Sequence, residues 1–306
     1  MKINYVLDRN NNKKAFQMKW KNLFLYYSVF LLLLFIFGCS KEVDNKALSS
    51  DGVKISFDVV GEGEPTLVLI HGWSNNRTIW DAQVSYFSQK YKVVNIDLPG
   101  FGKSGNNRQN WDMASFGNDV ATVIKKLDLE KVILVGFSMG GPVVIEAANI
   151  VTKQVAGIVL VDVLQNIEMK YYPPIVSYVD SMMMDLVTNP TKEKMVGLGF
   201  IKRNPDTSYQ RVLSMLNDVS MVGWRESIND FMRWSNEDIN TSLEKCQAPI
   251  TAINSDMDPT NVEAFRKLAP SFKAKIVPDV GHVIMWDATE EFNRLLEESI
   301  QEFLHK

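Results

Sequence analysis

Lys131-Val132-Ile133-Leu134-Val135-Gly136-Phe137-Ser138-Met139-Gly140-Gly141-Pro142 joins a strand, a turn and the start of a helix in twelve residues. Val132 to Val135 is β-branched or aliphatic throughout, the composition of a strand buried on both faces. Pro142 to Val151 reads as an apolar helix, and proline is tolerated in a first helical turn because its missing N–H has no intrahelical partner there. Between the two, Gly136-Phe137-Ser138-Met139-Gly140 fits the pattern G-x-S-x-G. Gly and Ser are common enough that the bare pattern arises by chance in about one chain of this size in ten. Position gives it weight. A serine on a strained strand-to-helix turn needs small neighbours so that its hydroxyl stands clear of the sheet.

Outward from this stretch, short β-branched runs alternate with amphipathic helical spacing. Strands are expected at Val53 to Val60, Thr66 to Ile70, Lys92 to Ile96, Lys131 to Gly136, Val155 to Val161, Ile250 to Asn254 and Ala274 to Val277. Met113, Phe116, Val120, Val123, Ile124 and Leu127 recur at helical steps, as do Phe292, Leu295, Leu296, Ile300, Phe303 and Leu304. Thr289 with Glu290 and Glu291 suits the start of the last helix, with the hydroxyl as a cap and the acids at the positive dipole end. This rhythm predicts an α/β fold, a mostly parallel central sheet flanked by helices. Residues 165–245 break it. They hold eight of the fourteen methionines together with Trp224 and Trp234 and read as short helices without a strand. We expect them to form a helical cap inserted into a core of residues 53–164 and 246–306, with residues 39–52 as a polar tether.

Charge is unevenly distributed. Formal net charge is −3, but residues 1–38 carry six Lys or Arg against Asp8, which leaves the remainder near −8. An acidic body argues against nucleic acid as a partner, because phosphate backbones reward clustered positive charge. Leu23 to Gly38 is almost wholly apolar and follows the basic stretch. At about 1.5 Å per residue it falls short of the ~30 Å hydrocarbon core, so a cleaved signal of residues 1–38 is expected rather than a spanning helix. Ile36-Phe37-Gly38-Cys39 resembles a bacterial lipoprotein box. That resemblance implies a lipidated Cys39, a membrane anchor and a domain outside the cytoplasm at the cell envelope. Cys246 then remains as a lone thiol, read as a small buried residue, and no intramolecular disulfide is available.

A serine hydroxyl needs a base to take its proton. The chain holds three histidines: His71, His282 and His305. His305 is next to last and reads as a surface side chain, while His71 at the end of a strand suits a backbone-positioning role. His282, in the loop after the last expected strand, is the candidate base. Its imidazolium needs a carboxylate. Asp258 is favoured and Asp256 is close by, both past the strand Ile250 to Asn254; Asp162, at the end of Val155 to Val161, is the outside candidate. The N–H groups of Met139 and Trp73 are candidates for an oxyanion hole. No His, Cys and acid cluster at metal-ligand spacing is found, and neither a metal nor a cofactor is expected.

His71-Gly72-Trp73, Asp97-Leu98-Pro99-Gly100-Phe101-Gly102-Lys103-Ser104, Gly136-Phe137-Ser138-Met139-Gly140 and Gly281-His282 together resemble the α/β-hydrolase superfamily over roughly residues 53–304. The resemblance implies that fold and a serine hydrolase in the order Ser138, Asp258, His282. Ser138 stands where haloalkane dehalogenases and epoxide hydrolases carry Asp, and Leu98-Pro99 where the proline-specific aminopeptidases carry Gln-Arg. Both readings weaken accordingly. Gly100-Phe101-Gly102-Lys103-Ser104-Gly105 also fits G-x-G-x-x-G, but Asn106-Asn107-Arg108 does not open a helix as pyrophosphate binding requires. A phosphate-binding P-loop fails because Asp97 stands where it needs Gly. The expected activity is acyl transfer to water on small or apolar carboxylic esters. Carbon–carbon bond or lactone hydrolysis by the same groups, and a catalytically silent envelope-anchored binding protein, are the alternatives.

Overall fold

Alternation along β3 (Thr66–Ile70) defines the layers. Leu67 and Leu69 enter one apolar cluster and Val68 and Ile70 the other, as a period of two demands of a strand covered on both faces. The computed structural model describes residues 45–216 and 221–305. Before β3 lie β1 (Lys46–Leu48) and β2 (Lys54–Val60); after it come β4 (Lys92–Asp97), β5 (Val132–Phe137), β6 (Val155–Val161), β7 (Ile250–Ser255) and β8 (Lys273–Val277). They form one eight-stranded sheet in the order β1-β2-β4-β3-β5-β6-β7-β8. β1 and β2 pair antiparallel, β2 is antiparallel to β4, and the pairings from β4 through β8 are parallel. The expected α/β fold is the one observed.

Helices cover both faces. α1 (Asp81–Phe87) lies on one face, and α2 (Met113–Lys126) and α3 (Gly140–Ile150) lie on the other. Asp112 caps α2, its carboxylate accepting from the Ser115 N–H at 2.6 Å. Met113, Phe116, Val120, Val123 and Ile124 are fully enclosed, each contributing about 1.5–3 kcal/mol of hydrophobic stabilisation.

Between β6 and β7 the described residues form five helices and no strand: α4 (Pro173–Thr188), α5 (Lys192–Gly197), α6 (Pro205–Met215), α7 (Met221–Glu237) and α8 (Ile239–Lys245). Met183, Met195, Met215 and Met232 are buried there, whereas Met169 and Met221 are exposed. α9 (Val262–Leu268) links β7 to β8, and α10 (Ile284–Asp287) and α11 (Thr289–Leu304) follow β8. Phe292, Leu296 and Ile300 of α11 are enclosed against the same face as α1.

Two local expectations change. Lys46–Leu48, expected within a polar tether, is an edge strand, because Ala47 turns inward and is 3% exposed while its neighbours face out. Thr289 does begin the last helix, but its hydroxyl donates to the Met285 carbonyl at 2.9 Å instead of capping an N–H. The signal segment and Cys39 lie outside the described residues.

Candidate active site

β5 ends at Phe137 and α3 starts at Gly140, so Ser138 must reverse the chain within two residues. It does so at φ 51°, in the left-handed region, a conformation that costs a non-glycine residue on the order of 1–3 kcal/mol. Its neighbours hold it there: the Ser138 N–H donates to the Val161 carbonyl at 3.0 Å, and its own carbonyl accepts from the Gly141 N–H at 2.8 Å. A Cβ on Gly136 would lie 2.3 Å from the Gly140 carbonyl oxygen, so only glycine lets the helix start this close to the strand.

His282 is delivered by the segment before α10. Its backbone N–H donates to the Gly199 carbonyl at 2.8 Å, and the Val283 N–H donates to the Phe200 carbonyl at 3.1 Å. Phe137 and Phe200 flank the imidazole at 4.8 and 5.6 Å between ring centroids. Asp287 fixes the approach from below. This carboxylate is 6% exposed and accepts from the backbone N–H groups of Gly281 at 2.8 Å, Arg203 at 2.9 Å and Lys202 at 3.1 Å. Sequence reading did not single it out. The available signal was an acid in the otherwise apolar run Val283-Ile284-Met285-Trp286-Asp287.

The carboxylate at the ring is Asp162, not Asp258. His282 Nδ1 lies 2.6 Å from Asp162 Oδ2. Asp162 is buried, follows β6 directly and sits at φ 45°. Its N–H donates to the Ile253 carbonyl at 3.0 Å, and its Oδ1 accepts from the Ser255 N–H at 2.7 Å and from Gln165 Nε2 at 3.3 Å. The β6–β7 pairing thus places this side chain across the sheet edge, where it meets the histidine. Asp256 is exposed and accepts from the Asp279 N–H at 3.0 Å, while Asp258 is exposed on the wall of the main cavity.

Trp73 and Met139 are nearly enclosed, and among the described residues the N–H of neither meets a protein acceptor. The two segments are close. A Cβ built on Gly72 would come within 3.0 Å of the Ser138 Cβ. The Trp73 indole donates to the Trp224 carbonyl at 2.7 Å, tying this turn to α7. Two free N–H groups flanking a serine suit a developing oxyanion.

Ser138 and His282 border two cavities. The larger, about 820 Å³, is walled by residues after β6 and β7 and by α7; the smaller, about 50 Å³, lies toward Trp73, Met195 and Val212. Met183 and Phe200 border both.

The other sequence candidates take structural places. Buried His71 accepts the Leu98 N–H on Nε2 at 3.0 Å, which leaves Nδ1 protonated and donating to the Gly72 carbonyl at 2.8 Å. His305 is exposed and Cys246 half-buried. In the glycine loop Asp97 is the organiser, accepting from the Arg77 N–H at 2.7 Å and the Lys103 N–H at 2.9 Å. A Cβ on Gly102 would lie within 2.5 Å of that carboxylate, so this glycine serves packing. Among the described residues no group of three His, Cys or acid side chains is placed to hold a metal ion.

Residues 65–289 match the alpha/beta hydrolase fold family, well over half of the chain. The chain belongs to the α/β-hydrolase family. Among solved structures, this α/β hydrolase is similar to a thermophilic esterase from Thermogutta terrifontis, with TM-score 0.71 and 20% identity, covering 85% of this chain and 98% of the other. A putative aryl esterase from Burkholderia cenocepacia gives TM-score 0.71 and 23% identity, covering 86% and 100%. At these identities the likeness is one of fold. A putative non-heme chloroperoxidase from Synechocystis is 39% identical over 93 residues, 30% of this chain and 33% of that protein. An uncharacterized protein of Mycobacterium bovis is 34% identical over 97 residues, 32% of this chain and 28% of its own length. The α/β hydrolase thus spans a third or less of these curated relatives.

Proposed function

We propose that this α/β hydrolase cleaves carboxylic esters by acyl transfer to water, with Ser138 as nucleophile, His282 as general base and Asp162 as the group that orients it. One observation carries the reading: a serine held in left-handed backbone borders both cavities together with a histidine whose far nitrogen is tied 2.6 Å from a buried carboxylate. With Nδ1–H donated to Asp162, the lone pair of Nε2 is free to accept a proton.

In this reading Ser138 Oγ attacks the ester carbonyl carbon while His282 Nε2 takes the hydroxyl proton. The Trp73 and Met139 N–H groups hold the resulting oxyanion, and each such donor contributes about 3 kcal/mol to the transition state. Collapse expels the alcohol, which receives the proton from His282. Water then attacks the acyl-serine, giving its proton to His282, and a second collapse returns it to Ser138 and frees the acid. The test is hydrolysis of a graded ester series by the purified protein. Turnover that vanishes in Ser138→Ala supports the reading, and equal turnover in that variant contradicts it.

We also propose, from the basic stretch, the apolar run Leu23 to Gly38 and Cys39, that the mature protein is anchored through lipid on Cys39 at the cell envelope, with the domain outside the cytoplasm.

A further inference from the structure

The large cavity has a one-sided charge. Its charged lining consists of Asp162 and Asp258, with no Lys or Arg. Asp162 is already committed, to His282, the Ser255 N–H and Gln165. Asp258 has no ion-pair partner and no hydrogen bond among the described residues, so its charge faces the cavity mouth uncompensated. Cations near that rim are spoken for: Lys170 donates to the Asn236 carbonyl at 2.9 Å, and Lys267 pairs with Glu168 at 3.0 Å.

Aromatic side chains share the same wall. Tyr171 and Phe231 both line the cavity and meet edge to face at 6.3 Å between centroids. The Tyr171 backbone is clamped at two points by Asn236, whose Oδ1 accepts its N–H and whose Nδ2 donates to its carbonyl, both at 2.8 Å. Burial, and behind it the charge of Asp258, pushes the Tyr171 phenol up, and both residues line the same cavity. Two aromatic rings lining a cavity together with an unpaired carboxylate form an environment that attracts an alkylammonium group, by cation–π and Coulomb attraction together. A carboxylate-bearing ligand meets repulsion instead.

We infer that the substrate is an ester bearing a cationic alkylammonium group, seated in the large cavity against Asp258, Tyr171 and Phe231, with a short uncharged end in the small cavity beside Trp73. This rests on the ester-hydrolase reading for its chemistry, but the cation site itself stands on the cavity lining.

Two measurements test it. The first compares kcat/KM for trimethylammonium-alkyl acetates of graded spacer length with their neutral tert-butyl isosteres and with carboxylate-bearing analogues, in wild type and Asp258→Asn. At the spacer that spans from Ser138 to the rim, the cationic ester is expected to exceed its isostere by about three- to tenfold at low salt, with the ratio falling by at least about half in the variant, where the aromatic rings alone remain. No cation preference at any spacer, or one undiminished in Asp258→Asn, overturns the inference. The second is calorimetric binding of hexyltrimethylammonium to the same proteins, which needs no turnover. Binding weakened about three- to tenfold by Asp258→Asn supports the cation site even if every ester proves inert, an outcome that would sink the hydrolase reading alone. Equal binding by the two proteins overturns the site.

Discussion

His282 Nδ1 and Asp162 Oδ2 lie 2.6 Å apart although the residues are 120 positions apart in the chain. Asp162 spends its other oxygen on a backbone N–H of the neighbouring strand, so the ring inherits its orientation from the β6–β7 pairing. Asp162→Asn keeps the shape but reverses hydrogen-bond donor and acceptor, favouring the wrong imidazole tautomer. We expect ester kcat to fall by a factor on the order of 10³–10⁴, far more than in Asp258→Asn. Steady-state kinetics of the two variants on one neutral ester checks this, and the reverse ranking would return the role to Asp258.

Asp287 positions the histidine loop without reaching the cavities. It accepts three backbone N–H groups, from Gly281, Lys202 and Arg203, at 6% exposure. Truncation leaves those donors without their acceptor, the Gly281 N–H in buried surroundings and the other two partly buried. Asp287→Ala is expected to cost about 3 kcal/mol of stability, with Asp287→Asn costing less because one oxygen still accepts. Urea unfolding of the three proteins measures it; identical midpoints would show that the loop is held by other means.

Burial holds the His71 imidazole below its ordinary value of 6.5, with the nearby charge of Asp97 opposing that shift. The unfolded chain therefore binds a proton on this ring at a higher pH than the folded protein does. Folding stability should rise with pH across this range and be lost as pH drops below about 6.5. Unfolding midpoints taken from about pH 7.5 downward should fall more steeply in wild type than in His71→Asn. Parallel curves would remove His71 as the cause.

Much of this was legible from residues alone. Strand positions followed from uninterrupted aliphatic, largely β-branched runs such as Val132 to Val135, and His282 from the scarcity of histidines. The carboxylate that meets the His282 ring was not. Asp162 and Asp258 both follow apolar strands, and local sequence is blind to which one a left-handed residue turns across the sheet edge. The φ of 45° at Asp162 and the bond from the Ser255 N–H are products of tertiary pairing. β1 escaped notice because three residues with a single buried side chain make too short a period, and Asp287 because its partners are backbone groups from another segment.

The proposed anchor at Cys39 has its own readout. In cells fed labelled palmitate, the wild-type chain should take up label and sediment with membranes, and Cys39→Ser should do neither. Membrane retention of an unlabelled variant would point to the apolar run itself as the attachment.

Ser138 can be interrogated by treating the purified full chain with a fluorophosphonate and locating the adduct by peptide mass spectrometry. A single phosphonylated site at Ser138 is expected, formed far more slowly in His282→Ala. Modification elsewhere, or labelling undiminished in Ser138→Ala, would contradict it.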